Sequence, residues 1–133
     1  MLLWGDKTVA LFDLWSFEHF FSGAAIGAAL IKRWPKEYYY QNILMILLLA
    51  YTWEAIEWNL EMGYSGISQV TYWFHGVEFW GNRLFSDPFL MVLGYIFSTR
   101  YKKIITFSKV YWLIWWVPNL FIFPHCMYLQ NLL

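Results

Sequence analysis

Long apolar runs alternate with short charged ones along this chain. Four apolar stretches stand out, roughly Leu14–Ile31, Tyr38–Asn59, Phe85–Ser98 and Ser108–Leu129. A helix needs about 20 residues to cross the hydrocarbon of a bilayer, with some tolerance for tilt and thinning. The first, second and fourth stretches reach that length. The third is shorter, so it must cross a thinned bilayer or begin inside the membrane with protein covering its end. Gly23 and Gly27 form a small-xxx-small seam in the first stretch, which predicts close helix–helix approach. Residues 69–81 carry His75, Glu78 and then Asn82 at i, i+3 and i+7, against Trp73, Phe74, Phe79 and Trp80. That pattern predicts a short amphipathic or re-entrant helix in the outer leaflet. Pro118 and Pro124 predict kinks in the last stretch. The expected fold is all-α: a polytopic integral membrane four-helix bundle, with a re-entrant or interfacial helix before the third span. Residues 1–133 form a single membrane domain.

Composition strengthens the membrane reading. The chain is 60% hydrophobic and 14% charged, where soluble domains run to about 25% charged. Its 10 Trp, 10 Tyr and 12 Phe are more apolar surface than so small a soluble domain can hide. Net charge is zero, which gives no footing for a nucleic-acid partner. The single cysteine, Cys126, has no internal disulfide partner and no CxxC spacing. The N-terminus lacks a basic start and a small-residue cleavage site, so a cleaved signal peptide is not expected.

Charge then sets orientation. Lys32, Arg33 and Lys36 follow the first stretch, and Arg100, Lys102, Lys103 and Lys109 follow the third. By the positive-inside rule both connections face the cytoplasm, so both termini and the segment from Glu61 to Ser86 face out. Eight of the nine acidic residues, all but Glu37, and the three histidines fall on the outer half. The expected location is a plasma or inner membrane, N-out and C-out, with the lipid bilayer as a partner.

Depth makes those acids informative. Counting inward from Lys32, Gln41 and Arg100 at 1.5 Å per residue puts His19, Glu54 and Asp87 each about 20 Å up a hydrocarbon layer about 30 Å thick. A charge at such depth costs about 2.5–3.5 kcal/mol on the insertion scale. Several together require a shared proton, a cation or a wet cavity. Glu54, Glu57 and Glu61 lie on one helical face and are expected to look into the bundle, Glu61 being the one a solvated helix end would serve well. Arg83 has two readings, an ion pair with Asp87 or Glu78, or an anchor for an anionic group such as a phosphate. Asp87-Pro88 reads first as a helix cap. His125 fits a helix end at the interface.

Carboxylates and imidazoles from several helices are the ligand kit for Zn, Mn or non-haem Fe. The expected ligands of a divalent metal are His19, Glu54, Glu57 and His75. Glu78 or Glu18 is the expected general base, and Arg83, Asn82 and Asp87 are expected to meet a substrate. The ExxE at 54–57 and HxxE at 75–78 only partly match the Glu and ExxH pattern of four-helix di-metal sites. No HExxH, P-loop, GxSxG or Rossmann pattern appears.

The stretches "DLWSFEHFFSGAAIG", "WEAIEW" and "WGNRLFSDPFLMVLGY" are together similar to the VanZ-like group of small bacterial membrane proteins. The resemblance covers residues 12 to 97. It implies a membrane-embedded helical fold, motif positions at Asp13, His19, Glu54, Glu57, Asn82, Asp87 and Gly94, and a place in the cell envelope. The leading expectation is an outer-leaflet Glu/His site that binds a divalent cation and acts on a lipid or lipid-linked substrate. Two rivals stand beside it: a non-catalytic accessory subunit packed with other membrane subunits in a larger complex, and a small proton or cation pathway.

Overall fold

The structure is a computed structural model and describes residues 2–34 and 36–121. Two short strands, β1 (Leu2–Trp4) and β2 (Ala10–Phe12), precede five helices: α1 (Trp15–Arg33), α2 (Tyr39–Glu61), α3 (Ser68–Trp73), α4 (Asp87–Arg100) and α5 (Lys102–Phe121). A 3-10 turn, Lys36–Tyr38, leads into α2, and a wide π-helical turn, Asn82–Ser86, leads into α4. His125, Cys126 and Pro124 lie outside the described residues, as does the end of the fourth apolar stretch.

The seam predicted at Gly23 and Gly27 is where α1 meets α4. A side chain at Gly23 would collide with the Met91 carbonyl, and one at Gly94 with the Phe20 carbonyl. A Cβ at Gly27 would lie 2.7 Å from the Tyr95 ring. Positions 23 and 27 thus face 91 and 95, so α1 and α4 run parallel with their backbones nearly touching. α2 packs along α4 through Ile46 and Ala50, which join Leu30, Met91 and Tyr95 in the buried apolar core. α5 lies along α1 in the opposite sense: Trp15 meets Trp115, and Phe21 meets Phe107 and Tyr111.

Three local features differ from the pattern read in the sequence. The strands were not expected; β1 and β2 pair in parallel, Leu2 beside Ala10 and Trp4 beside Phe12. Asp6 folds the loop between them, its carboxylate accepting from the N–H and hydroxyl of Thr8 and its carbonyl from the N–H groups of Val9 and Ala10. The helix expected over 69–81 forms only as Ser68–Trp73. Gly76 takes a φ of +87° just after it, and a right-handed helix cannot continue through that conformation. Finally, the basic connection after α4 is mostly helical. The break is confined to Tyr101, because residues 102–108 contain no glycine or proline to stop a helix.

Among the described residues α2 alone is long and apolar enough to cross a membrane, with a mean hydropathy of 1.3. Its Leu44 and Leu48 are exposed, as are Leu113 and Ile114 on α5.

Candidate metal centre

The site is assembled at the end of the bundle where α1 and α4 begin and α2 ends. Asp13 caps α1: its Oδ1 accepts the N–H groups of Trp15 at 2.7 Å and Ser16 at 3.1 Å, and Ser16 Oγ accepts the Asp13 N–H at 3.0 Å. His19 follows on the face that carries Gly23 and Gly27. The close α1–α4 approach therefore sets its ring against the start of α4, where Nε2 lies 3.3 Å from Asp87 Oδ2. On the other side of the ring, Nδ1 lies 3.8 Å from Glu54 Oε1 of α2. One ligand atom from each of His19, Glu54 and Asp87 falls within 4.8 Å of the others, and all three residues are buried.

Both oxygens of Glu54 and both oxygens of Asp87 are buried without a hydrogen bond. The Asp87 side chain does not cap α4, contrary to the first reading of Asp87-Pro88. The π-helical turn runs straight into α4, and the Asp87 N–H already donates to the Asn82 carbonyl. The helix start has no need of the carboxylate, which is left facing His19. Such π-helical turns recur at functional sites.

A second network adjoins the first through Glu54. Glu61 Oε1 accepts from Lys7 Nζ at 2.6 Å. Its Oε2 accepts from Arg83 Nη2 at 2.7 Å and from the Glu78 N–H at 3.1 Å. Arg83 Nη2 also lies 3.2 Å from Glu78 Oε2, and its Nε lies 3.5 Å from Glu54 Oε2. Asn82 Nδ2 donates to Glu78 Oε1 at 2.9 Å and to Asp13 Oδ2 at 3.3 Å. The Lys7 loop is fixed over this network by the Phe79 N–H, which donates to the Lys7 carbonyl at 2.8 Å. The π-helical turn is tied to α2 by the Tyr51 hydroxyl, which donates to the Leu84 carbonyl at 3.0 Å.

Five buried carboxylates, Asp13, Glu54, Glu61, Glu78 and Asp87, thus share one chamber with two fixed cations, Lys7 and Arg83. Burial pushes the Asp13 carboxyl up to about 6, against the pull of the Ser16 and Trp15 N–H groups. Burial, reinforced by the charges of Glu57 and Glu54, pushes Glu78 up to about 9. The Asp13 shift is the mark of burial, and the Glu78 shift adds to burial the repulsion of neighbouring carboxylates.

The expected site residues divide accordingly. His19 and Glu54 come together, joined by Asp87, which the sequence had assigned to substrate. Glu57 is half-buried and accepts no hydrogen bond among the described residues. His75 is exposed and stands outside the three-residue group, since the broken helix no longer aligns it with Glu78. Glu78 and Asn82 belong to the second network. Glu18 is buried and accepts from Ser22 Oγ at 2.6 Å, and it stands outside the three-residue group. Arg83 takes the ion-pair reading, to Glu78 and to two further carboxylates. Glu61 looks into the bundle as expected, and it is buried there with three donors although the sequence pattern assigns it no site role. Lys7 is the chamber residue that the sequence pattern did not reveal, although it is the only cation besides Arg83 on the acidic half.

Beside the chamber, on the outer flank of α1, lies an apolar cavity of about 510 Å³ lined by Leu3, Trp4, Phe12, Ser16, Phe17, Phe20, Phe21 and Leu90. The chain matches no protein-family model, no curated protein and no solved structure.

Proposed function

We propose that this chain is a polytopic membrane protein that holds a divalent cation between His19, Glu54 and Asp87, near the outer boundary of the bilayer. The observation that carries the reading is the set of four carboxylate oxygens, buried around an imidazole and accepting no hydrogen bond. Buried carboxylates without hydrogen bonds are costly, and a bound cation relieves that cost. One nitrogen and several oxygen donors, without a thiolate, suit Zn, Mn or Fe(II). Such an ion would supply Lewis-acid chemistry at the chamber. The apolar cavity whose lining includes Ser16 and Leu90, three residues along the chain from His19 and Asp87, suits a hydrocarbon chain and favours a lipid or lipid-linked substrate. Kinship with the VanZ-like group belongs to the same proposal, because Asp13, His19, Glu54, Asn82 and Asp87 are chamber residues.

The test is metal analysis of the protein purified in mild detergent. Wild type is expected to retain about one divalent ion per chain, and His19→Ala, Glu54→Gln and Asp87→Asn to lose it, while His75→Ala keeps it. A metal-free wild type after equilibration with Zn, Mn and Fe(II) overturns the proposal.

One observation favours the accessory-subunit reading as second choice: Phe107, Val110, Trp112, Leu113, Ile114 and Val117 leave much of α5 apolar and exposed. A native mass above that of the single chain would support it. A transmembrane proton or cation pathway is disfavoured, because below Glu54 the bundle is closed by Ile46, Ala50, Met91 and Tyr95.

A further inference from the structure

The chamber's cations are unevenly held. Arg83 reaches it from the π-helical turn that also carries Asn82 and leads to Asp87, so it is part of the scaffold. Lys7 arrives from a separate loop between two three-residue strands, yet its side chain is only 6% exposed. Its ammonium lies 2.6 Å from Glu61 Oε1, a distance expected of a strong charge-assisted contact. Glu57 sits one helical turn before Glu61 on the same face of α2 and is half-buried. Lysine pays heavily in solvation to be buried, so one found there is matched to an anionic site.

We infer that Lys7 occupies a second cation position, formed by Glu57 and Glu61, and so limits the chamber to one divalent ion. This rests on the proposed ion at His19, Glu54 and Asp87. The physical basis is charge balance. Five buried carboxylates and half-buried Glu57 against Lys7 and Arg83 leave a surplus of four, balanced by one divalent ion and two protons. Removing the Lys7 charge raises that surplus to five and frees Glu61 Oε1 for a second divalent ion in place of the ammonium. A hard or borderline cation with a taste for carboxylate oxygen, such as Mn(II), fits the vacated position.

The experiment is Mn(II) stoichiometry by elemental analysis on full-length protein in detergent, equilibrated with Mn(II) and then freed of excess ion. Wild type is expected to hold about one ion, and Lys7→Met about two. Lys7→Arg, which keeps a fixed charge, should hold one, and Lys7→Met combined with Glu61→Gln should return to one. A wild type with no ion sinks the parent reading. A wild type with one ion and a Lys7→Met protein that also holds one overturns this inference and leaves the parent reading standing. Failure of Lys7→Met to fold even in Mn(II) also overturns it, because a divalent ion is inferred to replace the missing ammonium.

Discussion

At the level of single residues, Glu54 and Asp87 have most to lose from standing unassisted. A carboxylate buried with no hydrogen bond is costly, and the Arg83 Nε 3.5 Å from Glu54 and the His19 ring 3.3 Å from Asp87 offset only part of that cost, so in the cation-free protein each is a liability. Asp87→Asn removes the charge at nearly constant shape. It should therefore raise the thermal midpoint of the cation-free protein while abolishing the rise that Mn(II) gives wild type. That rise should correspond to about 2.7 kcal/mol at 100 times the dissociation constant. A capping carboxylate would behave oppositely, losing about 1 kcal/mol on substitution. Thermal melts of both proteins with and without Mn(II) separate the two roles. Asp13 makes a second, pH-dependent prediction. Its carboxyl is raised in the folded state to about 6 from an ordinary value of 3.8. Between those values the folded chain binds the proton more tightly than the unfolded one, so stability falls as pH rises through that window. The loss is at most about 3 kcal/mol at 1.36 kcal/mol per unit. Asp13→Asn keeps a capping oxygen and should flatten this part of the pH profile of the melting midpoint in cation-free protein. An unchanged slope between pH 4 and 6 would show that Asp13 is not the group responsible.

Among the helices, the α1–α4 contact decides whether there is a site at all. His19 and Asp87 belong to the same register as 23 with 91 and 27 with 95, so the glycine seam fixes the distance between the two ligands. Gly23→Ala and Gly94→Ala would drive a methyl group into backbone, which cannot yield, whereas Gly27→Ala meets the ring of Tyr95 and the hydroxyl of Ser98. The first two should destabilise by about 1–3 kcal/mol or more and lose the bound ion, with Gly27→Ala milder on both counts. Metal content and melting midpoint measured together check the order. Retention of the ion by Gly23→Ala at full stoichiometry would contradict the link between seam and site. Much of this element was legible beforehand, because small residues four apart in an apolar helix have few other uses. Its partner was not. Sequence spacing shows that Gly23 and Gly27 share a face but not that Met91 and Tyr95 lie opposite. The depth count placed His19, Glu54 and Asp87 at one level because helical rise is regular. The helix expected over 69–81 failed at His75, where the Gly76 conformation stopped it, and Lys7 went unassigned, because its place depends on a short parallel strand pair that hydropathy cannot reveal. Glu61 was expected to face the bundle, but its partners were hidden for the same reason: two of its three donors, Lys7 and the Glu78 N–H, come from irregular segments.

Taken whole, the molecule is electrically divided along the bundle axis. α1 and α4 run parallel from the carboxylate chamber towards Arg33 and Arg100, and α2 returns from the basic end to Glu61. In a bilayer this dipole of charge has one stable sense, since basic connections stay on the cytoplasmic side. The proposed N-out arrangement then makes a prediction that does not depend on metal. With Cys126 replaced by alanine, a cysteine at Ser65, in the turn after α2, should react in intact cells with a membrane-impermeant maleimide. One at Glu37, in the turn before α2, should react only after the membrane is opened. Both positions flank the same helix, the one whose length and apolarity suit a crossing, so the pair tests crossing and direction together. The opposite pattern would turn the chamber towards the cytoplasm, placing its cation and any lipid-linked substrate in the inner leaflet. Equal reaction of both sites in a soluble fraction would remove the membrane from the account. The exposed Leu44 and Leu48 would then need a protein partner to cover them, which is the accessory-subunit reading in its strongest form.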